Sequence, residues 1–339
     1  MVVFPGVLPV QYRRMARQQS LEAFGLAFYI LKRLGLALIT LIGVTIVAFA
    51  LLQMLPGEPI DSLVPIDASQ ETRELITAQF GFDQPVVTQY FRWLGNIVRG
   101  DFGRSISQQT QVIVLVSGAL KNTLILALGA CLFGMVFSLL IGVYSAYQPN
   151  SPLSWMGTVV GIAGISIPNY CLSLILIGIF SVSLRMLPCT GMYTSGAAND
   201  FASLLRHLIM PAIAAGAMTL GIMTRMVRSS VEDVLHKDYI ATLRAKGLPG
   251  GTILRHVLRN SLPTLLTVGG LQFGYLMGGS AMVETIFSWP GIGLLVYQSI
   301  VRNDFPIIQG AILLVAAIFV GINLIIDILH VVLDPRLRK

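Results

Sequence analysis

Seven basic side chains crowd one polar stretch of a very apolar chain: Arg225, Arg228, Lys237, Arg244, Lys246, Arg255 and Arg259, within residues 225–259. Such residues can recognise a partner by charge and hydrogen bonding. Inside the stretch, Asp238-Tyr239-Ile240-Ala241-Thr242-Leu243-Arg244-Ala245-Lys246-Gly247 has the punctuation of a short helix. Asp238 reads as the N-cap, its carboxylate accepting free N–H groups of the first turn. Arg244 and Lys246 fall in the last turn, where cations suit the negative end of the helix. Gly247 can take the left-handed conformation that ends a helix, and Pro249 prevents continuation. The expected helix is about eight residues, ~12 Å. Gly250-Gly251 make a second bend, and Thr252 is expected to cap the next helix. So short a helix is marginal in water and needs a packing surface. A partner protein is the expected source of that surface.

Covalent chemistry finds little support. His207, His236, His256 and His330 are scattered, and none pairs by spacing with a nucleophile. The 3 cysteines, Cys131, Cys171 and Cys189, have no zinc-type spacing and read as packing residues. The chain has no Gly-x-x-x-x-Gly-Lys-[Ser/Thr] phosphate loop, so any ATP must bind elsewhere. Ionisable residues near the membrane are few: Asp327, with Asn323 one turn earlier, and Glu284. No Asp/Glu/His chain crosses the bilayer, which argues against a proton-coupled carrier.

The elements that must position these residues are membrane helices. Hydrophobic residues make up 55% of the 339 and charged residues only 12%, with mean hydropathy +0.76. Soluble domains carry about 25% charged residues. A span needs roughly 20 apolar residues. Six such spans are expected, near 34–55, 122–147, 154–182, 208–227, 260–282 and 305–328, the second and third separated by the turn Gln148-Pro149-Asn150-Ser151-Pro152. The chain is thus expected to be an all-α membrane protein, with an N-terminal cytoplasmic extension at 1–33 and a six-helix domain at 34–339. With six spans, the N-terminus, segment 225–259 and the C-terminus share a side that holds most of the 23 Lys and Arg. The positive-inside rule makes that side cytoplasmic. The net charge of +7 sits in these flanks, as topology requires, and does not point to nucleic acid.

Three further patterns stand out. Gly270, Gly274 and Gly278 repeat every fourth residue in the fifth span, with Gln272 its strongly polar side chain. Small residues so spaced let backbones approach, either for helix packing or along a pathway. Residues 284–293 read as a loop, with Trp289 suited to the interfacial belt and Pro290-Gly291 making a turn, either structural or part of an outer gate with Glu284. The outer loop 56–121 is acidic and long enough for amphipathic helices, one capped by Asp67 or Ser69 and running to about Phe80, another starting at Asp83-Gln84-Pro85. It serves as a docking face or as a lid on the bundle.

Residues 241–263 resemble the cytoplasmic EAA loop of ABC importer permeases. Ala241-Thr242-Leu243, Gly247 and Leu262-Pro263 stand at its small-residue cluster, glycine and Leu-Pro. Ala241 replaces the usual Glu, as in the dipeptide/oligopeptide/nickel branch, and Leu243 stands where that branch often has Ala. Other blocks resemble the same branch: Arg33-Leu34-Gly35 through Met54-Leu55-Pro56-Gly57-Glu58-Pro59; Gly100-Asp101-Phe102-Gly103-Arg104-Ser105; Glu284-Thr285-Ile286-Phe287-Ser288-Trp289-Pro290-Gly291-Ile292-Gly293; Asp304-Phe305-Pro306; and Asp334-Pro335-Arg336-Leu337-Arg338. The loop 148–153 lacks the basic residues usual there. The resemblance covers about 28–339 and implies a type I ABC importer (MetI-like) permease fold in the bacterial inner membrane. It implies a second homologous permease, two ATPase subunits that hold ATP and Mg, and an extracytoplasmic binding protein. It also implies that the short helix, through Asp238, Tyr239, Ala241, Arg244, Ala245, Lys246 and Gly247, couples to the ATPase. The substrate is expected to be a di- or oligopeptide; nickel or glutathione within the family, or a stand-alone secondary carrier, are the alternatives.

Overall fold

The computed structural model describes residues 10–53, 70–71, 77, 83–194, 196 and 200–333, and of these the side chains from residue 30 to 329 apart from 51 and 52. The block at 54–59, the block at 334–338 and, apart from residues 70, 71 and 77, the expected helix from Asp67 or Ser69 to Phe80 lie outside the described residues. Every named element is a helix: α1 (Val10–Gln53), α2 (Val86–Val98), α3 (Val112–Tyr147), α4 (Pro152–Ser166), α5 (Asn169–Leu176) with a π-helix at Ile177–Ser183, α6 (Phe201–Leu235), α7 (Asp238–Ala245), α8 (Gly250–Gly279), α9 (Ala281–Ile286), α10 (Ile292–Val301) and α11 (Phe305–Leu333).

Four of these helices are long and apolar enough to cross a bilayer, in α1, α3, α6 and α11; a bent pair would make five. The expected count of six is therefore not reached by length and composition among the described residues. The fifth expected span lies in α8, where Asn260, Pro263, Gln272 and seven glycines from Gly250 to Gly279 dilute the apolar character. The third expected span, 154–182, is corrected: α4 and α5 meet at 109°. The cause is Pro168. Proline pushes the preceding residue toward extended geometry, and Ile167 has φ −83° and ψ 119°. Pro168 then becomes the N-cap of α5.

α6 is the axis of the bundle, with 72% of its most apolar stretch buried, against 17% for α1 and 6% for α11. Small residues make this possible. A Cβ on Gly216 would strike the carbonyl oxygen of Ala130, one on Gly142 would strike Val227, and Gly161 and Gly221 lie back to back. α3, α4 and α6 thus meet at backbone distance, which gives van der Waals contact that lipid cannot replace. At the periphery α1 lies against α11. Arg33 and Asp327 pair there at 2.8 Å, which puts the start of the first span and the end of the last at one level. α2 rests on the other end of α1, through Thr45 and Tyr90 hydroxyls 2.8 Å apart and Phe49 against the rings of Tyr90 and Trp93.

The α3–α6 seam is expected to be the least tolerant part of the fold. Gly216→Leu should lower the melting temperature of the purified chain in detergent through overpacking of about 1–3 kcal/mol. The same change at Gly178, which has open space around it, should leave it nearly unchanged.

Candidate functional site: a short helix at one end and two buried carboxylates at the other

α7 spans eight residues, Asp238–Ala245, as expected. Its caps differ at one end. Lys237 is the N-cap, without a side-chain hydrogen bond, and Asp238 is the first helical residue. The Asp238 carboxylate thus sits in the first turn, where a negative charge still meets the helix dipole favourably. The C-terminus is as the residues demand. Gly247 has φ +72°, its N–H donates to the Arg244 carbonyl, and the Leu248 N–H donates to that of Leu243. These two bonds form the Schellman closure that a left-handed glycine permits. The next helix begins at Gly250 behind Pro249 as N-cap. Thr252 therefore lies inside α8, and the second bend is Pro249 itself.

The helix does not depend on a partner for its packing. Ile240 is 0% exposed, in a cluster with Ala146 of α3, Val227, Val231 and Val234 of α6, and Ile253, Val257 and Leu265 of α8. Asp238, Tyr239, Ala241, Thr242, Arg244, Ala245, Lys246 and Gly247 are exposed. Ile240 is sunk into the bundle, Leu243 packs half-buried against the same cluster, and a polar face is left open.

The other end of the same helices is closed by two carboxylates. Residues 284–293 form no simple loop: α9, a turn, and α10. Glu284 is 0% exposed. One of its oxygens accepts from the hydroxyls of Thr123 at 2.8 Å and Ser280 at 3.0 Å. The other accepts from the N–H of Gly293 at 2.7 Å and of Leu294 at 3.3 Å. The Ile292 N–H donates to Thr123 Oγ1 at 2.8 Å. The first three N–H groups of α10 are thus satisfied by side chains from α9 and α3, a tertiary cap on the positive end of α10. Burial pushes the Glu284 carboxyl above the usual carboxylate range, against the pull of these four bonds. Glycine is required at 291 and 293, because a Cβ on either would crowd the Glu284 carboxylate. Trp289 is not at an interface. It is 0% exposed, packed with Leu126 and Met192, and its indole N–H donates to the Asn122 carbonyl at 2.9 Å. The Asn122 amide donates in turn to the Pro290 carbonyl at 2.8 Å.

Asp304 makes the second closure, just before α11. One oxygen accepts from Ser105 Oγ at 2.6 Å, Ser107 Oγ at 2.7 Å and the Ser107 N–H at 2.8 Å. Burial raises this carboxyl, but the hydrogen bonds outweigh it and hold it below the usual range. The Gly100–Ser105 block folds back through Gly100 (φ +84°) and Gly103 (φ +78°) to deliver these serines. Two blocks far apart in sequence become one contact.

The glycines of α8 divide. Gly270 faces Ile326 and Gly274 faces Phe319, both of α11, while Gly278 has open space. Gln272 Oε1 accepts from Thr219 of α6 at 3.4 Å. Sequence reasoning missed Thr123, Asn122, Ser105 and Ser107 as partners, since neither hydroxyls nor a lone Asn carry a recognisable spacing. Among the described residues no group of three or more His, Cys, Asp or Glu could hold a metal ion.

Removing Glu284 strands buried donors, each costing about 1–3 kcal/mol. Glu284→Ala is expected to lower the melting temperature far more than Asp327→Ala, whose partner Arg33 can reach water; equal losses would contradict the capping role.

The comparisons agree with this architecture. Residues 138–339 match the family described as binding-protein-dependent transport system inner membrane component, and residues 26–127 match its N-terminal companion. The oligopeptide transport system permease protein AppB of Bacillus subtilis is 38% identical over 92% of this chain and 100% of its own length. The di/tripeptide transport system permease protein DppB of Pseudomonas aeruginosa is 38% identical over 91% and 98%. The glutathione transport system permease protein GsiC of Escherichia coli is 35% identical over 91% and 98%. In structure, the MetNI methionine ABC transporter in an inward-facing conformation aligns with TM-score 0.52 at 19% identity, over 66% of this chain and 97% of that one, which supports the MetI-like fold. The chain is a membrane permease component of the binding-protein-dependent ABC importer family.

Proposed function

We propose that this chain forms half of the pore of an ATP-driven importer of di- or oligopeptides, with a second homologous permease as its partner. Two ATPase subunits hold ATP and Mg, an extracytoplasmic binding protein delivers the peptide, and this chain performs no covalent chemistry. Its termini and α7 face the cytoplasm, in keeping with the Lys and Arg concentrated in residues 225–259. The observation that carries the reading is α7: anchored by Ile240, with Tyr239, Ala241, Thr242 and the residues from Arg244 to Gly247 exposed. That face docks on an ATPase, and closure of the ATPase pair moves α3, α6 and α8 together.

The oligopeptide and di/tripeptide names of the relatives at 38% identity support the substrate class. The glutathione permease at 35% supports a second reading, glutathione. Gly278 and Gln272 are the proposed pathway residues of α8, and Gly270 and Gly274 its packing face. The fixed unit of Glu284, Trp289, Pro290 and Gly291 is the proposed wall of the outer gate.

Gly247→Pro tests the coupling. Proline cannot adopt φ +72° and has no N–H for Arg244, so the cap is lost, at about 1–3 kcal/mol of strain. ATP hydrolysis by the reconstituted importer is expected to continue while uptake falls; unchanged uptake would remove α7 from the mechanism. Substrate class is read in the same vesicles, by competition of dipeptides, longer peptides and glutathione for uptake. Peptides are expected to compete, and competition by glutathione alone would select the second reading.

A further inference from the structure

One stripe of α8 faces away from the fold. Gly251, Leu254, Arg255, Leu258, Arg259 and Leu262 line an open groove of about 510 Å³, and their spacing places them along a single helix face. The opposite stripe, Ile253, Val257, Ser261 and Leu265, is buried. The groove therefore belongs to the outside of the bundle. Its walls are leucine and its charges are two guanidinium groups one turn apart. Among the described residues the ion pairs are Arg33–Asp327 and Arg228–Glu232, and neither involves the groove. No carboxylate lines it.

The position of the groove along α8 identifies the ligand. Arg259 is the last charge before residues 260–283, which carry none. Leu262 lies three residues further, about 4.5 Å along the axis, and is 40% exposed. Going along the stripe, two cations give way to hydrocarbon at the point where the chain enters its apolar stretch. A ligand that matches has an anionic head and an alkyl tail lying in the same direction.

We propose that this groove is a binding site for an anionic phospholipid, its phosphate held between Arg255 and Arg259 and its first acyl chain laid along Leu258 and Leu262. Basic clusters beside a span attract anionic lipid by about 1 kcal/mol per side chain, which is about fivefold in affinity each. A zwitterionic lipid offers the same phosphate beside its own cation and gains little. The headgroup level matches the orientation proposed above, but lipid binding requires neither ATP nor transport. It can fail while the peptide reading stands, and the reverse.

The test is lipid retention by the full chain. Wild type, Arg255→Gln/Arg259→Gln and Leu258→Ser are purified from nanodiscs of mixed phosphatidylglycerol and phosphatidylcholine, and bound lipid is counted by native mass spectrometry. Wild type is expected to enrich phosphatidylglycerol over phosphatidylcholine. The double arginine variant should lose about 25-fold of that preference, with an unchanged melting temperature in phosphatidylcholine alone. Leu258→Ser should lower retention of both lipids while keeping the preference. Equal enrichment in wild type and the arginine variant overturns the proposal. So does enrichment that vanishes when the complete importer is assembled, since the stripe would then be an ATPase contact.

Discussion

The structure turns on one buried side chain. Ile240 is the residue through which an eight-residue helix, too short to persist alone in water, is attached to the membrane bundle. Its neighbours come from the ends of α3, α6 and α8. Three long helices therefore share one apolar cluster with α7, the helix proposed to meet the ATPase. A push on α7 cannot be absorbed by a hinge at that point, because the packed core is stiff. Gly247 and Pro249 supply the bends on the far side, so α7 lies across the helix ends rather than extending them.

The opposite end is held by a different force. Thr123 and Ala146 stand 23 residues apart on α3, about 35 Å, close to the thickness of a bilayer. At the Thr123 end, apolar packing gives way to hydrogen bonding, with Asp304 Oδ1 left buried and without a partner. Glu284 has four donors and Asp304 three, and the ion pairs among the described residues, Arg33–Asp327 and Arg228–Glu232, involve neither. A buried carboxylate is tolerated only when donors are prepaid by the fold. Here they are the free N–H groups at the start of α10 and the hydroxyls of a folded loop. Between the two ends the seam of Gly134, Gly142, Gly216 and Gly221 lets α3, α4 and α6 touch. The bundle thus has an apolar contact at one end and hydrogen-bonded carboxylates at the other.

Much of this was legible in the residues. Gly247 and Pro249 marked the end of α7 because a left-handed glycine and a helix breaker have local causes. The start was misjudged by one position, since Asp serves as well at the first helical residue as at the cap. Apolar length located α1, α3, α6 and α11, but it could not see the 109° bend at Ile167-Pro168, where one proline divides an unbroken apolar run. Trp289 shows the limit most clearly. Composition assigns a tryptophan beside a span to the interface, whereas its indole lies fully buried on Asn122, a partner 167 positions away. Contacts between distant positions, such as Glu284 with Thr123 and Asp304 with Ser105, have no local pattern to read. Glu284, Asp304 and Ser105 nonetheless lie in blocks that resemble the permease family.

The most direct measurement is the coupling ratio, substrate imported per ATP hydrolysed, in vesicles carrying the complete importer with Ile240→Ala. The change removes about 2–5 kcal/mol of packing and leaves every exposed residue of α7 in place. With the chain still inserted and folded, ATP turnover should persist and the ratio should collapse, because the motor then moves a loosened helix. A ratio equal to wild type would contradict the account: force would have to reach the bundle by a route that does not pass through Ile240.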